Sequence, residues 1–243
     1  GMIKTTYGTG SSVMMNVGEK PVFSSHGAAS SLAWCMGGKV NYVLEGNINY
    51  TGAVITWLIV QLQLISNASE AEGFARKANP LDTTYLVPAF SGLGAPYWDS
   101  MAQAMLYGMT RTTGKAEIVK AALESIAYQI ADVVLAMWAD SGIEVKELCV
   151  DGGPTKNTYL MQFQSDLLKI PVQVPKEEEL SGMGAAYAAG LALGLYKREQ
   201  LFVGAERKNY LPTMPEAERQ QRYDGWQHAV HKVLTGGDHA ERI

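Results

Sequence analysis

Two glycine-bearing turns carry the residue types and spacing that could do chemistry. Gly8-Thr9-Gly10 separates two segments with strand-like alternation, which puts it at the tip of a tight hairpin. With no side chains in the way, backbone N–H groups there can approach an anion closely, and the Thr9 hydroxyl adds a donor; phosphate is the natural ligand. Asp151-Gly152-Gly153 follows the C-terminal end of a short apolar strand and leads into a helix. Ligands bind at that position in open α/β sheets, where a helix N-terminus favours negative charge. Asn157 can serve both as the helix N-cap and as a ligand contact. Each turn also has a plainer reading, the first as a glycine-rich hairpin turn and the second as an ordinary β-α turn capped by Asn157.

Other familiar sites are excluded. There is no GxxxxGKS/T phosphate loop, no HExxH zinc helix and no GxSxG nucleophile elbow, and Gly8-Thr9-Gly10 runs into Ser11-Ser12-Val13 instead of completing GxGxxG. His228 and His231 lie three apart on a predicted helix with no carboxylate or Cys cluster nearby, so they read as surface histidines and no metal site is predicted. Met14-Met15, Trp57 and Trp98 read as core residues.

The elements that must position the two turns follow from periodicity. Ile3 to Tyr7 and Ser11 to Asn16 read as strands, and Val17 to Lys20 turns the chain toward Pro21 to Ser24. Ser30 to Cys35 and Lys39 to Leu44, separated by Met36-Gly37-Gly38, read as another hairpin, so this portion is an antiparallel meander. Ala53 to Leu64 is long and apolar enough for a buried helix, and the Gly- and Pro-containing stretch through Pro80, Pro88 and Gly92 to Pro96 reads as an ordered loop.

The clearest helix runs from Lys115 to about Asp140, with Ile118, Ala122, Ile126, Ile130, Val133 and Met137 at three- and four-residue steps. Gly114 with Glu117 signals its start, and Gly142 its stop. A strand at Leu148 to Val150, a helix over Thr158 to Leu168, a strand at Val172 to Val174 and a helix over Met183 to Tyr196 complete a strand-helix-strand-helix alternation. Such alternation implies parallel strands with right-handed crossovers. A tail from Arg198 to Ile243 carries charged runs and a terminal helix over Glu216 to Leu234.

Composition bounds the reading further. The chain has 243 residues, 47% hydrophobic and 18% charged, which fits a globular protein with a sizeable core and not a disordered one. A net charge of −4 without a Lys/Arg cluster argues against a nucleic-acid partner. The most apolar stretches, Ala53 to Ile65 and Met183 to Tyr196, fall short of the ~18 residues a membrane span needs. Cys35 and Cys149 encode neither a disulfide framework nor a CxxC metal site, which favours a cytoplasmic location. An abrupt start on a strand suggests further sequence upstream.

Taken together, the phosphate hairpin in a meander and the Asp-Gly-Gly turn in a following β-α-β unit match the layout of one half of an actin-like ATPase, in which nucleotide lies between two such halves. The chain resembles the FGGY family of carbohydrate kinases, its glycerol-kinase branch above all. The resemblance rests on Tyr7-Gly8-Thr9-Gly10, Gly92-Leu93-Gly94-Ala95-Pro96-Tyr97-Trp98-Asp99, Leu123 to Tyr128, Val150-Asp151-Gly152-Gly153, Leu160 to Asp166 and Gly184-Ala185-Ala186-Tyr187, in the family's order. Ala104 to Met109, followed by Glu117-Ile118 and Ala121 to Glu124, resembles the second of the family's sequence signatures at its usual spacing.

The resemblance implies an α/β domain of the actin-like, ribonuclease H-like type. Its mixed sheet would join an antiparallel meander to parallel β-α units, with helices on both faces. Residues 1–243 would form the C-terminal domain, with the N-terminal domain lying upstream. The implied activity is transfer of the ATP γ-phosphate to a sugar or polyol. Thr9 and Gly10 would meet the phosphates, Gly52 and Thr56 would line the adenosine pocket, and Gly152, Gly153 and Asn157 would hold the adenine and ribose side. No catalytic residue is assigned in this chain, because the family's general-base aspartate lies upstream. ATP or ADP would bring Mg²⁺, held mainly by nucleotide phosphates and upstream residues, and a homo-oligomer is implied by analogy.

Two positions depart from the branch. Thr56 stands where glycerol kinases carry Gln, and Ser12 stands where they carry an aromatic that packs on the carbon chain of glycerol. Ser12 would line a more polar substrate pocket, suited to a longer polyol or a ketose such as xylulose. An alternative function is that of a naturally truncated, non-catalytic regulatory or assembly protein with the same fold.

Overall fold

A computed structural model describes residues 1–176, 180–197, 199, 201 and 206–236. Four strands open the chain: β1 (Ile3–Tyr7), β2 (Ser11–Gly18), β3 (Ala29–Met36) and β4 (Lys39–Ile48). Two short helices follow, α1 (Gly52–Val60) and α2 (Glu70–Lys77), then a small two-stranded sheet of β5 (Tyr85–Val87) and β6 (Met105–Tyr107). The long helix α3 (Lys115–Ser141) leads to β7 (Leu148–Asp151), a one-turn 3-10 helix (Gly153–Lys156), α4 (Thr158–Leu168), β8 (Val172–Pro175), α5 (Leu180–Ala192), β9 (Arg207–Tyr210) and α6 (Glu216–Val233). The main sheet has the order β3-β4-β2-β1-β7-β8-β9. β7 runs parallel to β1 and to β8, and the other neighbours are antiparallel. This is the actin-like, ribonuclease H-like α/β fold, an antiparallel meander extended by parallel β-α units.

Strand alternation decides which face is covered. Ile3, Thr5 and Tyr7 of β1 and Val13 and Met15 of β2 are buried on one face. Gly46 of β4 lies opposite Val13, and a Cβ added there would meet the Val133 side chain of α3 at 2.4 Å, so α3 packs tightly on this face. α4 joins it, where the Tyr7 hydroxyl donates to Gln164 Oε1 at 3.1 Å. α5 is largely exposed and keeps only Gly190 buried. α3 ends as its sequence signals: the Gly114 amide donates to Glu117 Oε2, and Gly142 is left-handed with φ 62°.

Buried carboxylates clasp the C-terminal segment to this body. Asp166 accepts from the Thr213 and Met214 amides, and Asp99 from the Thr235 amide and hydroxyl. Asp132, in the middle of α3, accepts from Tyr97 at 3.0 Å, Tyr223 at 2.7 Å, Trp226 at 2.8 Å and Gln227 at 2.7 Å. Beside it the Trp226 ring, fully buried, stacks on Tyr128 at 5.1 Å.

Several expectations need correcting. The helix begun near Ala53 stops at Val60, not Leu64. Gln63 is left-handed with φ 52°, and the Leu62 amide reaches back five residues to Trp57 as the helix unwinds. The helix read as Met183 to Tyr196 runs from Leu180 to Ala192, and Gly194, at φ 72°, turns the chain after it. Met14 and Trp98 are not core residues: Met14 points to the less covered face of β2, and Trp98, 58% exposed, donates its indole N–H to the Gly27 carbonyl at 2.6 Å. α2, β5, β6 and β9 carry no readable period, being short or, in β9, exposed at Arg207, Lys208 and Asn209. Within the charged tail, Arg198 and residues 237–243 lie outside the described residues.

Burial pushes the Asp132 carboxyl up to about 7, against the hydrogen bonds from Tyr223, Trp226, Tyr97 and Gln227 that favour its charge. An unfolded aspartate ionises near pH ~3.9. Between there and about pH 7 the folded chain holds one more proton than the unfolded chain, so this residue makes stability fall as pH rises, by about 1.4 kcal/mol per pH unit. Urea denaturation across that window should show the wild type losing stability relative to Asp132→Asn as pH rises. Equal slopes would contradict the assignment.

Candidate functional site

The parallel pairing of β1 with β7 brings the two glycine turns together. Thr6 lies opposite Asp151, so Gly8-Thr9-Gly10 and Gly152-Gly153 leave adjacent strands at the same end of the sheet. Gly152 is required there. Its φ is 98°, and a Cβ would sit 2.0 Å from the Tyr7 carbonyl oxygen. On the other side of the hairpin the Thr51 and Ala53 amides donate to the Thr9 carbonyl, each at 3.0 Å, and the Gly52 amide donates to the Gly8 carbonyl at 2.9 Å. The start of α1 is therefore spent on hairpin carbonyls. The Gly8 amide closes the tip on the Gly10 carbonyl at 2.8 Å. Among the described residues, the exposed Thr9 keeps its amide and hydroxyl without partners, available to an anion.

Beside the hairpin, α1, α2, α3 and the N-terminal end of α4 enclose a cavity of about 560 Å³. Gly52 and Thr56 line one side of it, Gly153 and Asn157 the other, with Ile55, Ile59, Leu123, Ile126 and Leu160 as apolar wall. A Cβ on Gly153 would meet nothing within 4 Å, so this glycine leaves room for the cavity and answers no packing demand. Asn157 is the N-cap of α4: its Oδ1 accepts from the Leu160 amide at 2.9 Å, its backbone amide donates to the Pro154 carbonyl at 3.0 Å, and its side-chain Nδ2 has no partner among the described residues. The Thr56 hydroxyl donates back to the Gly52 carbonyl at 3.2 Å, so the shorter side chain is tied to its own helix.

The sequence offers no motif for Ala68, Ser69, Glu72 and Lys156, which also line the cavity. Glu72 closes the cavity by joining α2 to α4. It accepts from the Thr158 amide at 3.0 Å and from the Thr158 hydroxyl, and pairs with Arg76 at 2.8 Å. Burial pushes its carboxyl up, but the hydrogen bonds from Thr158 and Arg76 outweigh this and hold it low. Only its place between two helices, invisible in one dimension, marks it.

Ser12 falls elsewhere. Ser11 points toward the buried face and hydrogen-bonds the Thr51 hydroxyl at 2.7 Å, so Ser12, opposite Thr6, points to the other face. Its hydroxyl is buried there with no partner among the described residues. Asp151 shares that face, with one carboxylate oxygen on Lys4 at 2.8 Å and the other unpartnered. Among the described residues no group of three or more His, Cys, Asp or Glu could hold a metal ion. Nor is any described helix long and apolar enough to cross a membrane.

Residues 3–193 match the sequence model of the FGGY family of carbohydrate kinases, C-terminal domain. The chain belongs to that family. Its sequence is 48% identical over 235 residues to the glycerol kinase of Bacillus anthracis strain A0248, covering 95% of this chain and 47% of that protein. The crystal structure of Plasmodium falciparum glycerol kinase with ADP superimposes with a TM-score of 0.87 at 36% identity, over 96% of this chain and 47% of that one. The ligand-bound xylulose kinase of Lactobacillus acidophilus shares the fold, with a TM-score of 0.80 at 21% identity, over 96% of this chain and 47% of that one. The chain thus spans about half the length of the relatives it matches.

The close approach at Gly152 is the tightest element of this geometry. Gly152→Ala introduces a Cβ into the Tyr7 carbonyl at a left-handed position and should lower the free energy of unfolding by about 2 kcal/mol or more. A urea titration showing wild-type stability would mean that the two turns do not depend on this contact.

Proposed function

We propose that this chain is the C-terminal, nucleotide-binding half of an ATP-dependent carbohydrate or polyol kinase. The observation that carries the reading is that Gly52, Gly153 and Asn157 line one cavity while the hairpin bearing Thr9 is bonded to the start of α1 beside it. Adenosine would lie between the Gly52-Thr56 and Gly153-Asn157 sides against the apolar wall of Leu123 and Ile126. The phosphates would run to the hairpin tip, where the Thr9 amide and hydroxyl would donate to their oxygens, while Gly10 lets the tip sit against the Ile48 carbonyl, which a Cβ would meet at 2.3 Å. Gly152 holds the second turn against the hairpin.

Phosphoryl transfer is mostly positioning and charge neutralisation, so one wall of a cleft does not suffice. The general-base aspartate and the remaining Mg²⁺ contacts would come from an N-terminal half closing over this one. The largely exposed α5, with Leu193 and Leu195 beyond its end 74% and 71% exposed, offers apolar surface for that half. Mg²⁺ would arrive on the nucleotide phosphates, where it neutralises charge developing during transfer.

Isothermal titration of the chain with ADP should show saturable binding at up to millimolar concentration, and Thr9→Val should weaken ADP more than adenosine. No binding heat in that range would overturn the proposal, as would phosphorylation of a sugar by this chain alone.

For the acceptor, Ser12 supports a longer polyol or a ketose over glycerol. Its hydroxyl is buried without a partner among the described residues, and if Ser12 takes the place of the aromatic that glycerol kinases carry there, a hydrogen bond to substrate would replace apolar contact. In the complete two-domain enzyme, Ser12→Phe should raise the ratio of kcat/KM for glycerol to that for xylulose by about tenfold or more. A wild-type enzyme that already prefers glycerol strongly would refute this assignment.

A further inference from the structure

On a different face of α3 from the nucleotide cavity lies a second cavity of about 300 Å³, walled by the 80–85 loop, α3 and α6. Its polar groups satisfy one another only in part: Arg222 pairs with Glu218 at 2.8 Å and the Thr84 amide donates to Asp82 at 2.9 Å, but others are left over. Lys120 is 6% exposed, yet among the described residues its ammonium makes no hydrogen bond, and its one ion pair, to Glu124 Oε1, is 3.5 Å long. Tyr128 is 2% exposed and its hydroxyl is buried without a partner. Tyr159, Arg222 and Lys120 all converge on Oε1 of Glu124, so the other oxygen of that carboxylate is unspent among the described residues. Of these atoms the Tyr128 hydroxyl is the one buried outright with no partner, and a donor left this way is costly unless something else meets it.

The pattern of unspent groups selects the chemistry of what would meet them. Two cations, Lys120 and Arg222, stand against three carboxylates, Asp82, Glu124 and Glu218, a formal local charge of −1 that disfavours an anion. A cation would face the Lys120 ammonium with its protons uncommitted. A neutral molecule whose hydroxyls both donate and accept suits the free N–H groups of Lys120, the Tyr128 hydroxyl and the open Glu124 oxygen together. The rings of Tyr85 and Tyr128, 5.9 Å apart, supply an apolar wall. The volume stands at the lower end of small-ligand cavities, about 300–1,000 Å³, which favours a short chain. We propose that the cavity between the 80–85 loop, α3 and α6 binds a short neutral polyol, at a site separate from the nucleotide cleft and independent of the kinase reading.

Calorimetric titration of the chain with glycerol as the probe tests this, with inorganic phosphate as the contrasting ligand. Saturable binding of one glycerol per chain is expected, and none of phosphate in competition with it. Tyr128→Phe removes a hydroxyl that has no protein partner, so its urea midpoint should match or exceed the wild type while glycerol binding weakens about tenfold or more. Lys120→Met, which keeps an unbranched stem, should weaken binding to a similar degree. Absence of saturable glycerol binding, phosphate taking its place, or glycerol binding that survives Tyr128→Phe unchanged would each overturn the proposal.

Discussion

The parallel pairing of β1 and β7 is the constraint on which the rest of this structure depends. These strands are separated by most of the chain, and Thr6 opposite Asp151 sets the register in which both turns emerge at one end of the sheet. A slip by one residue would reverse the facing of Ile3, Thr5 and Tyr7 and drive Lys4 and Thr6 into the core. The register is therefore enforced from two directions: by the apolar face beneath α3, and by the backbone of Gly152 seated on the Tyr7 carbonyl. Chemistry at the hairpin inherits its geometry from this contact.

α3 then does what no surface helix could. Residues from Val119 to Val134 are buried without interruption, charged and amide side chains among them. An amphipathic helix would expose one face to water; this one meets a sheet, α2, α4 and α6 around its circumference. Its buried Asp132 and Glu124 are tolerable only because α6 and α4 bring donors to them, so the C-terminal segment completes the polar interior as well as the apolar one.

Much of this was legible in one dimension, for reasons that differ from element to element. The bounds of α3 are marked because Gly114, Glu117 and Gly142 act locally, within a turn of the helix ends. α4 is legible because Asn157 caps it, and β1 and β2 because their alternation survives burial on one face. Of the residues read as nucleotide contacts, Gly52, Thr56, Gly153 and Asn157 line one cavity, Thr9 is bonded to the start of α1 beside it, and Gly10 and Gly152 serve close backbone packing on Ile48 and Tyr7. Ser12 could be placed on the opposite face only once Ser11 was seen bonded to Thr51. Glu72 and Ser69 were illegible, since α2 owes its place to contacts with α3 and α4 that no local pattern encodes. β9 exists by pairing with β8 and not by composition, which is why Arg207-Lys208-Asn209-Tyr210 does not announce a strand.

α3 is also a party wall. Leu123 and Ile126 furnish one chamber, while Lys120, Glu124 and Tyr128 furnish another across the same few turns. A bulkier or smaller residue on either side displaces a rod that both chambers share, so neither can be remodelled in isolation. A substitution along these turns therefore reaches both chambers through the rod they share.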